Sequence, residues 1–221
     1  MSGAVQVKIC GIKDVVNLDA AIDCGADYIG LVFYPASPRS VSIEQARILS
    51  KRVSDRAGSK KVSRVGLFVD PDDSFLNTII EAVSPDFIQL HGNETPERVQ
   101  VVSERYKRPV IKGLAVDDAF NFNLVRPYEE AADWLLFDAK PIPGGLPGGT
   151  GQRFDWSLLK GLAFAKPWML SGGLTPENVG EALSVLTPDA VDVSSGVESA
   201  RGVKDPDKIK AFIKAAKGFS V

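Results

Sequence analysis

Apolar β-branched runs and amphipathic stretches opened by capping residues take turns along this chain, and no two strand signals follow one another without a helical segment between them. Strands are expected over 5–10, 28–33, 65–69, 87–92, 110–112, 134–138, 168–171 and 190–193. Helical segments are expected over 14–22, from Ser42 through 46–49, over 75–80, from Thr95, over 118–125 ending before Pro127, over 155–159, from Thr175 and from Asp205. Such alternation requires parallel strands joined by right-handed crossovers, and eight units of that kind close into a (β/α)8 barrel, the TIM barrel of the α/β class. An open doubly wound sheet would carry G-x-G-x-x-G after its first strand and a switch-point signal, and neither is present. No composition shift or low-complexity linker divides the chain, so residues 1–221 are expected to form one barrel domain.

That fold narrows the ligand. A net charge of −2 with no long basic run excludes nonspecific nucleic-acid binding, which needs a row of Lys and Arg on one face. No window approaches the roughly 20 apolar residues of a membrane span, and the start Met1-Ser2-Gly3-Ala4-Val5 has neither a basic leader nor an apolar stretch. A small molecule handled in the cytoplasm is the expectation, with the chain working as a monomer or a homodimer. Cys10 and Cys24 make neither a disulfide framework nor a zinc site, so both are expected as thiols.

Barrel enzymes carry their chemistry at the carboxyl ends of the strands. The run Leu135-Leu136-Phe137 ends there in Asp138 and opens into the glycine-rich segment from Gly144 to Gly151, within a loop, 140–153, whose glycines would let it close over a substrate. A lone strand-end Asp serves as readily to cap a turn, so other strands must supply partners. On the first strand, Lys8 and Cys10 share a face by alternation, with Cys10 at the carboxyl end. A thiol beside an ammonium ionises more readily. Arg39 lies on the loop after the second strand, where barrels keep binding residues, although an exposed Arg is commonly solvated surface. His91, at the end of the fourth strand, reads as a hydrogen-bonded spacer rather than a proton carrier. Cys24, off the carboxyl face, reads as packing or surface.

Two strand ends open onto small residues rich in backbone amides, Ser171-Gly172-Gly173 after strand seven and Ser194-Ser195-Gly196 after strand eight. Glycine lets the backbone approach an anion closely, and barrels of this kind often hold a phosphate at those two loops. With the phosphate there, Cys10 on the neighbouring first strand and Asp138 on the sixth would flank a sugar phosphate. A thiol and a carboxyl so placed suit one proton taken and one given, an isomerisation by general acid–base catalysis. No nicotinamide fingerprint, Walker loop or metal-ligand cluster appears, so no cofactor and no metal are expected.

Taken together, Lys8-Ile9-Cys10-Gly11, Ser37-Pro38-Arg39-Ser40, Gln89-Leu90-His91-Gly92, Phe137-Asp138, Gly148-Gly149-Thr150-Gly151, Leu170-Ser171-Gly172-Gly173-Leu174 and Val191-Asp192-Val193-Ser194-Ser195-Gly196-Val197-Glu198 resemble the motifs of the phosphoribosylanthranilate isomerase family, in order along nearly the whole chain. The resemblance implies an Amadori rearrangement in tryptophan biosynthesis, with Asp138 as general acid at the ribose ring oxygen and Cys10 as general base at C2. It further implies that Arg39 holds the anthranilate carboxylate, that Gly172, Gly173, Ser194, Ser195 and Gly196 hold the phosphate, and that Asp192 lines the pocket. The rivals are another sugar-phosphate epimerase or lyase, for which Lys112 would supply a Schiff base, and a noncatalytic metabolite-binding barrel.

Overall fold

The structure is a computed structural model that describes residues 5–56, 62–140, 148–149 and 151–219. Met1 to Ala4, Thr150 and the part of the glycine segment from Gly144 to Pro147 lie outside the described residues, so the expectation of a closing loop over 140–153 falls largely there. Eight parallel strands, β1 (Gln6–Cys10), β2 (Tyr28–Val32), β3 (Ser63–Phe68), β4 (Phe87–Leu90), β5 (Val110–Val116), β6 (Trp134–Ala139), β7 (Trp168–Leu170) and β8 (Ala190–Val193), pair in chain order and close β8 onto β1. A closed ring, not an open sheet, is therefore the architecture.

Helices α1 (Val15–Asp23), α2 (Ile43–Asp55), α3 (Asp73–Val83), α4 (Pro96–Tyr106), α5 (Val125–Ala131), α6 (Val179–Val185) and α7 (Pro206–Lys217) pack outside it. Side chains fix several of their starts by satisfying first-turn amides: Asp14, Ser42, Asp72, Thr95 and Asp205 each accept from backbone N–H groups two or three residues on. Ser42 and Gln45 complete a capping box. After β6 the described residues of the crossover form a 3-10 turn, Trp156–Leu159, in place of an α-helix.

Two helical expectations are corrected. The fifth begins at Val125, where it was expected to end, and runs through Pro127. Proline in a first turn lacks an N–H that would have no partner there, so it starts this helix rather than stopping it. The seventh, expected from Thr175, is α6 and begins at Val179, because Thr175 caps a turn by accepting from the Glu177 amide and Pro176 precedes the helix. Strand five, expected to be short, extends through Val116. A hairpin of β9 (Glu198–Ala200) and β10 (Val203–Lys204) follows β8, which alternation alone did not foretell.

Strand parity sorts the interior. Tyr28, Val65, Ile111, Leu136, Met169 and Ala190 form a buried plug inside the barrel. Two residues further along their strands the same parity turns Gly30, Gly113, Asp138 and Asp192 inward, so the lumen changes from apolar to polar towards the carboxyl ends. Opposite parity faces the helices, where Leu135 joins the main core.

Candidate active site

The carboxyl-end mouth holds a cleft open to solvent. Cys10, Arg39, His91, Asp138, Asp192 and Ser194 all line it, so the sequence-derived acid, thiol and arginine meet in one place. Gly30 makes room for the sulfur, since a Cβ there would lie 2.8 Å from Cys10 Sγ. That explains a glycine in the middle of an otherwise apolar strand.

Lys8 is wholly buried, and its Nζ donates to Asp192 Oδ1 at 2.9 Å. The other oxygen, Oδ2, accepts from Ser171 Oγ at 3.4 Å. Burial is the largest influence on Cys10 and pushes its thiol above the ordinary 9.0; Lys8 and Lys204 pull the other way, and Asp192 adds to the rise. Lys8 does favour ionisation, as expected, but burial outweighs an ammonium already engaged by a carboxylate, so the free thiol stays above its ordinary value. Burial likewise pulls Lys8 down, but Asp192 and Cys10 leave its ammonium above its ordinary value.

Asp138 ends the inward run of β6. Its Oδ1 accepts from the Ala139 amide at 2.8 Å, and Oδ2 lies 3.2 Å from His91 Nε2. The spacer reading of His91 is right about its being hydrogen-bonded, but its partner is the candidate acid, 47 residues away.

Arg39 is buried rather than solvated. Its Nε and NH2 donate to the two carboxylate oxygens of Glu198 at 2.7 and 2.9 Å, and NH2 also reaches the Gly149 carbonyl at 2.9 Å. Glu198 accepts as well from Lys204 Nζ at 2.8 Å and from the Gly202 amide at 3.0 Å. Burial opposes the charge on Glu198, yet these donors hold its carboxyl at about 2. The guanidinium of Arg39 is thus fixed in plane by a partner ionised near neutral pH, which takes up its Nε–NH2 edge.

Beside the first cleft lies a second, lined by Ser171, Gly172, Gly173, Asp192, Ser194 and Ser195 together with Asp138 and Gly151. Gly172 and Gly173 adopt φ of +81° and +69°, and a Cβ on them would meet the Ala139 amide nitrogen at 2.7 Å and the Gln152 carbonyl at 2.8 Å. Their amides can approach an anion as side-chain-bearing residues could not. A Cβ on Gly196 would collide with the Leu174 carbonyl, so the close packing of the backbone there requires a glycine.

Gln89, Glu198 and Lys204 were not singled out as site residues. Gln89 carried a signal, a buried-strand amide two residues before His91 on the same face. Lys112, the lyase candidate, faces the helices instead of the lumen. It donates to Glu94 at 2.6 Å and to the Gly92 carbonyl at 2.8 Å. Cys24 caps the end of α1, partly exposed. Among the described residues no group of His, Cys, Asp and Glu is placed to hold a metal ion, and no helix is long and apolar enough to cross a membrane.

Known proteins resemble this chain in sequence and in fold. The family profile described as "PRAI: N-(5'phosphoribosyl)anthranilate (PRA) isomerase" matches residues 7–215. The N-(5'-phosphoribosyl)anthranilate isomerase of Paramagnetospirillum magneticum is 55% identical over 215 residues, covering 97% of this chain and 98% of that one. The crystal structure of phosphoribosyl anthranilate isomerase from Thermotoga maritima superimposes with a TM-score of 0.83 at 41% identity, covering 97% and 99% of the two chains. A phosphoribosyl anthranilate isomerase in complex with reduced 1-(o-carboxyphenylamino)-1-deoxyribulose 5-phosphate superimposes with a TM-score of 0.79 at 38% identity, with the same coverage.

Proposed function

The chain belongs to the phosphoribosylanthranilate isomerase family, and from that premise we propose that Cys10 and Asp138 divide between them the two proton transfers of its reaction. The reaction is the aldose–ketose isomerisation of N-(5'-phosphoribosyl)anthranilate to 1-(2-carboxyphenylamino)-1-deoxyribulose 5-phosphate, a step of tryptophan biosynthesis. The observation that carries the assignment is that the thiol and the carboxyl line one cleft, with a fixed guanidinium in it and a glycine-lined second cleft beside it.

Asp138 gives its proton to the ribose ring oxygen as the C1–O bond breaks and the ring opens to a protonated Schiff base. That cation acidifies the hydrogen on C2, which Cys10 takes up in its thiolate form, a minor form in the free enzyme because burial holds the thiol above 9.0. The enolamine that results gains a proton at C1, gives up the one on its C2 hydroxyl and becomes the ketose, so substrate and product are isomers. Arg39 receives the anthranilate carboxylate, and the amides and hydroxyls around Gly172, Gly173, Ser194 and Ser195 receive the phosphate. Asp192 keeps Lys8 engaged beneath the thiol. A Schiff-base lyase has no support from Lys112, which faces the helices.

We read the chain as one barrel domain holding a complete set of these groups, whether monomer or homodimer. A phosphorylated intermediate and two thiols suit a cytoplasmic setting. Freshly made N-(5'-phosphoribosyl)anthranilate, followed by the loss of its fluorescence with the next enzyme of the pathway present, tests the reading. Multiple turnovers are expected; binding without turnover would refute it.

A further inference from the structure

Gln89 lies on β4 and His91 just past its end, on the same inward face, and their side chains touch: Gln89 Nε2 is 3.2 Å from His91 Nδ1. Gln89 is fully buried, and its Oε1 has no hydrogen-bond partner among the described residues. Turning the amide end for end would put an NH2 group where that oxygen now lies without a partner. Buried donors without acceptors are rarer than under-satisfied carbonyls, so the amide presents its N–H to the imidazole.

A ring nitrogen that accepts a hydrogen bond carries no proton. The proton of the neutral imidazole therefore sits on Nε2, the atom 3.2 Å from Asp138 Oδ2. The ring has little room to swing away. Any side chain in place of Gly113 would run into Nδ1, and a Cβ on Gly148 would lie 2.6 Å from Nε2 and 3.0 Å from Asp138 Oδ2.

We propose that Gln89 is a positioning residue that locks His91 in its Nε2–H tautomer, so that the ring donates to the carboxylate left on Asp138 when its proton goes to the substrate. The inference rests on the reading of Asp138 as the acid. Negative charge develops on Asp138 during ring opening, and two donors already face it, the Ala139 amide at Oδ1 and His91 at Oδ2. Donors set before the charge appears need no rearrangement as it forms. With the other tautomer, a bare nitrogen would face that charge and oppose it.

His91 is the sole histidine of the sequence, so one set of imidazole signals reports its state. Long-range 1H–15N correlation of 15N-labelled protein at about pH 8, above the usual histidine range, is expected to show the Nε2–H pattern. A wild-type ring protonated at Nδ1, or at both nitrogens, would overturn the proposal without any variant. In Gln89→Met the Nδ1–H form should appear, with kcat falling about tenfold and KM within about twofold. An unchanged tautomer there would also overturn it. His91→Gln offers an amide N–H towards Asp138 that has no tautomer, so adding Gln89→Met to it should cost under about twofold more. Independent, multiplying losses would count against the lock. Undiminished turnover by Asp138→Asn would instead remove the acid role, and with it the purpose of the lock, even where the spectrum shows Nε2–H.

Discussion

A thiol two residues from a buried ammonium is governed by whatever else the ammonium holds. Lys8 gives its charge to Asp192, and burial dominates Cys10, so the free enzyme keeps a thiol above the ordinary 9.0. Alkylation rates of Cys10 against pH, in a Cys24→Ser background, should show a midpoint above 9. Asp192→Asn removes a neighbour that raises the thiol and leaves Lys8 to favour the thiolate, so its midpoint should move down. An unmoved or raised midpoint would sink this account of Cys10. The positions of Cys10, Asp138 and Asp192 at strand ends were legible because alternation and strand length decide them locally. The burial of Arg39 was not, since its partner Glu198 lies 159 residues away and only the closed ring brings the two loops together. The same holds for His91 and Asp138, whose meeting depends on which strands are neighbours but one.

At the scale of elements, the β9–β10 hairpin supplies the site with a carboxylate and an ammonium that belong to no crossover helix. Glu198 pairs with Arg39 on one side and Lys204 on the other, and Lys204 also donates to the Ser194 carbonyl at 2.8 Å, tying the hairpin to the loop after β8. The carboxyl of Glu198 ionises at about 2 when folded against 4.5 ordinarily. Its contribution to stability is therefore complete above pH 4.5 and is lost as the pH falls towards 2. Urea midpoints measured from pH 5 down to pH 2 should fall less steeply in Glu198→Gln than in the wild type; parallel slopes would contradict the pairing. Turnover should report it too, as a KM raised about tenfold with kcat nearly kept, because Arg39 loses its fixed plane. Most elements could be read from their caps. The exceptions, α5 and α6, each carry a proline near the start, which marks a helix start and a helix stop equally well until the neighbouring strand fixes where the chain must turn.

For the whole molecule, closure of the ring is the act that makes the site, and one ion pair spans the seam. Lys8 on β1 and Asp192 on β8 stand opposite each other in the register that joins first strand to last. Lys8→Met alone leaves a buried carboxylate without its partner and should cost about 3–5 kcal/mol in urea unfolding, whereas Lys8→Met with Asp192→Leu should recover most of that loss. A single substitution as mild as the double would show that the pair is not sealed from water. The barrel itself was legible from the alternation of elements, because parallel strands with a helix between each pair have few ways to bury both faces. Closure also delivers the central claim, that a thiol and a carboxyl act on one sugar from the same mouth. The most direct measurement is to titrate Cys10→Ala and Asp138→Asn with reduced 1-(o-carboxyphenylamino)-1-deoxyribulose 5-phosphate in a calorimeter while assaying turnover of fresh substrate. Each variant should bind the analogue within about fivefold of the wild type and lose about 10³-fold or more in kcat. Substantial turnover by either variant, or loss of binding in step with loss of rate, would contradict the account.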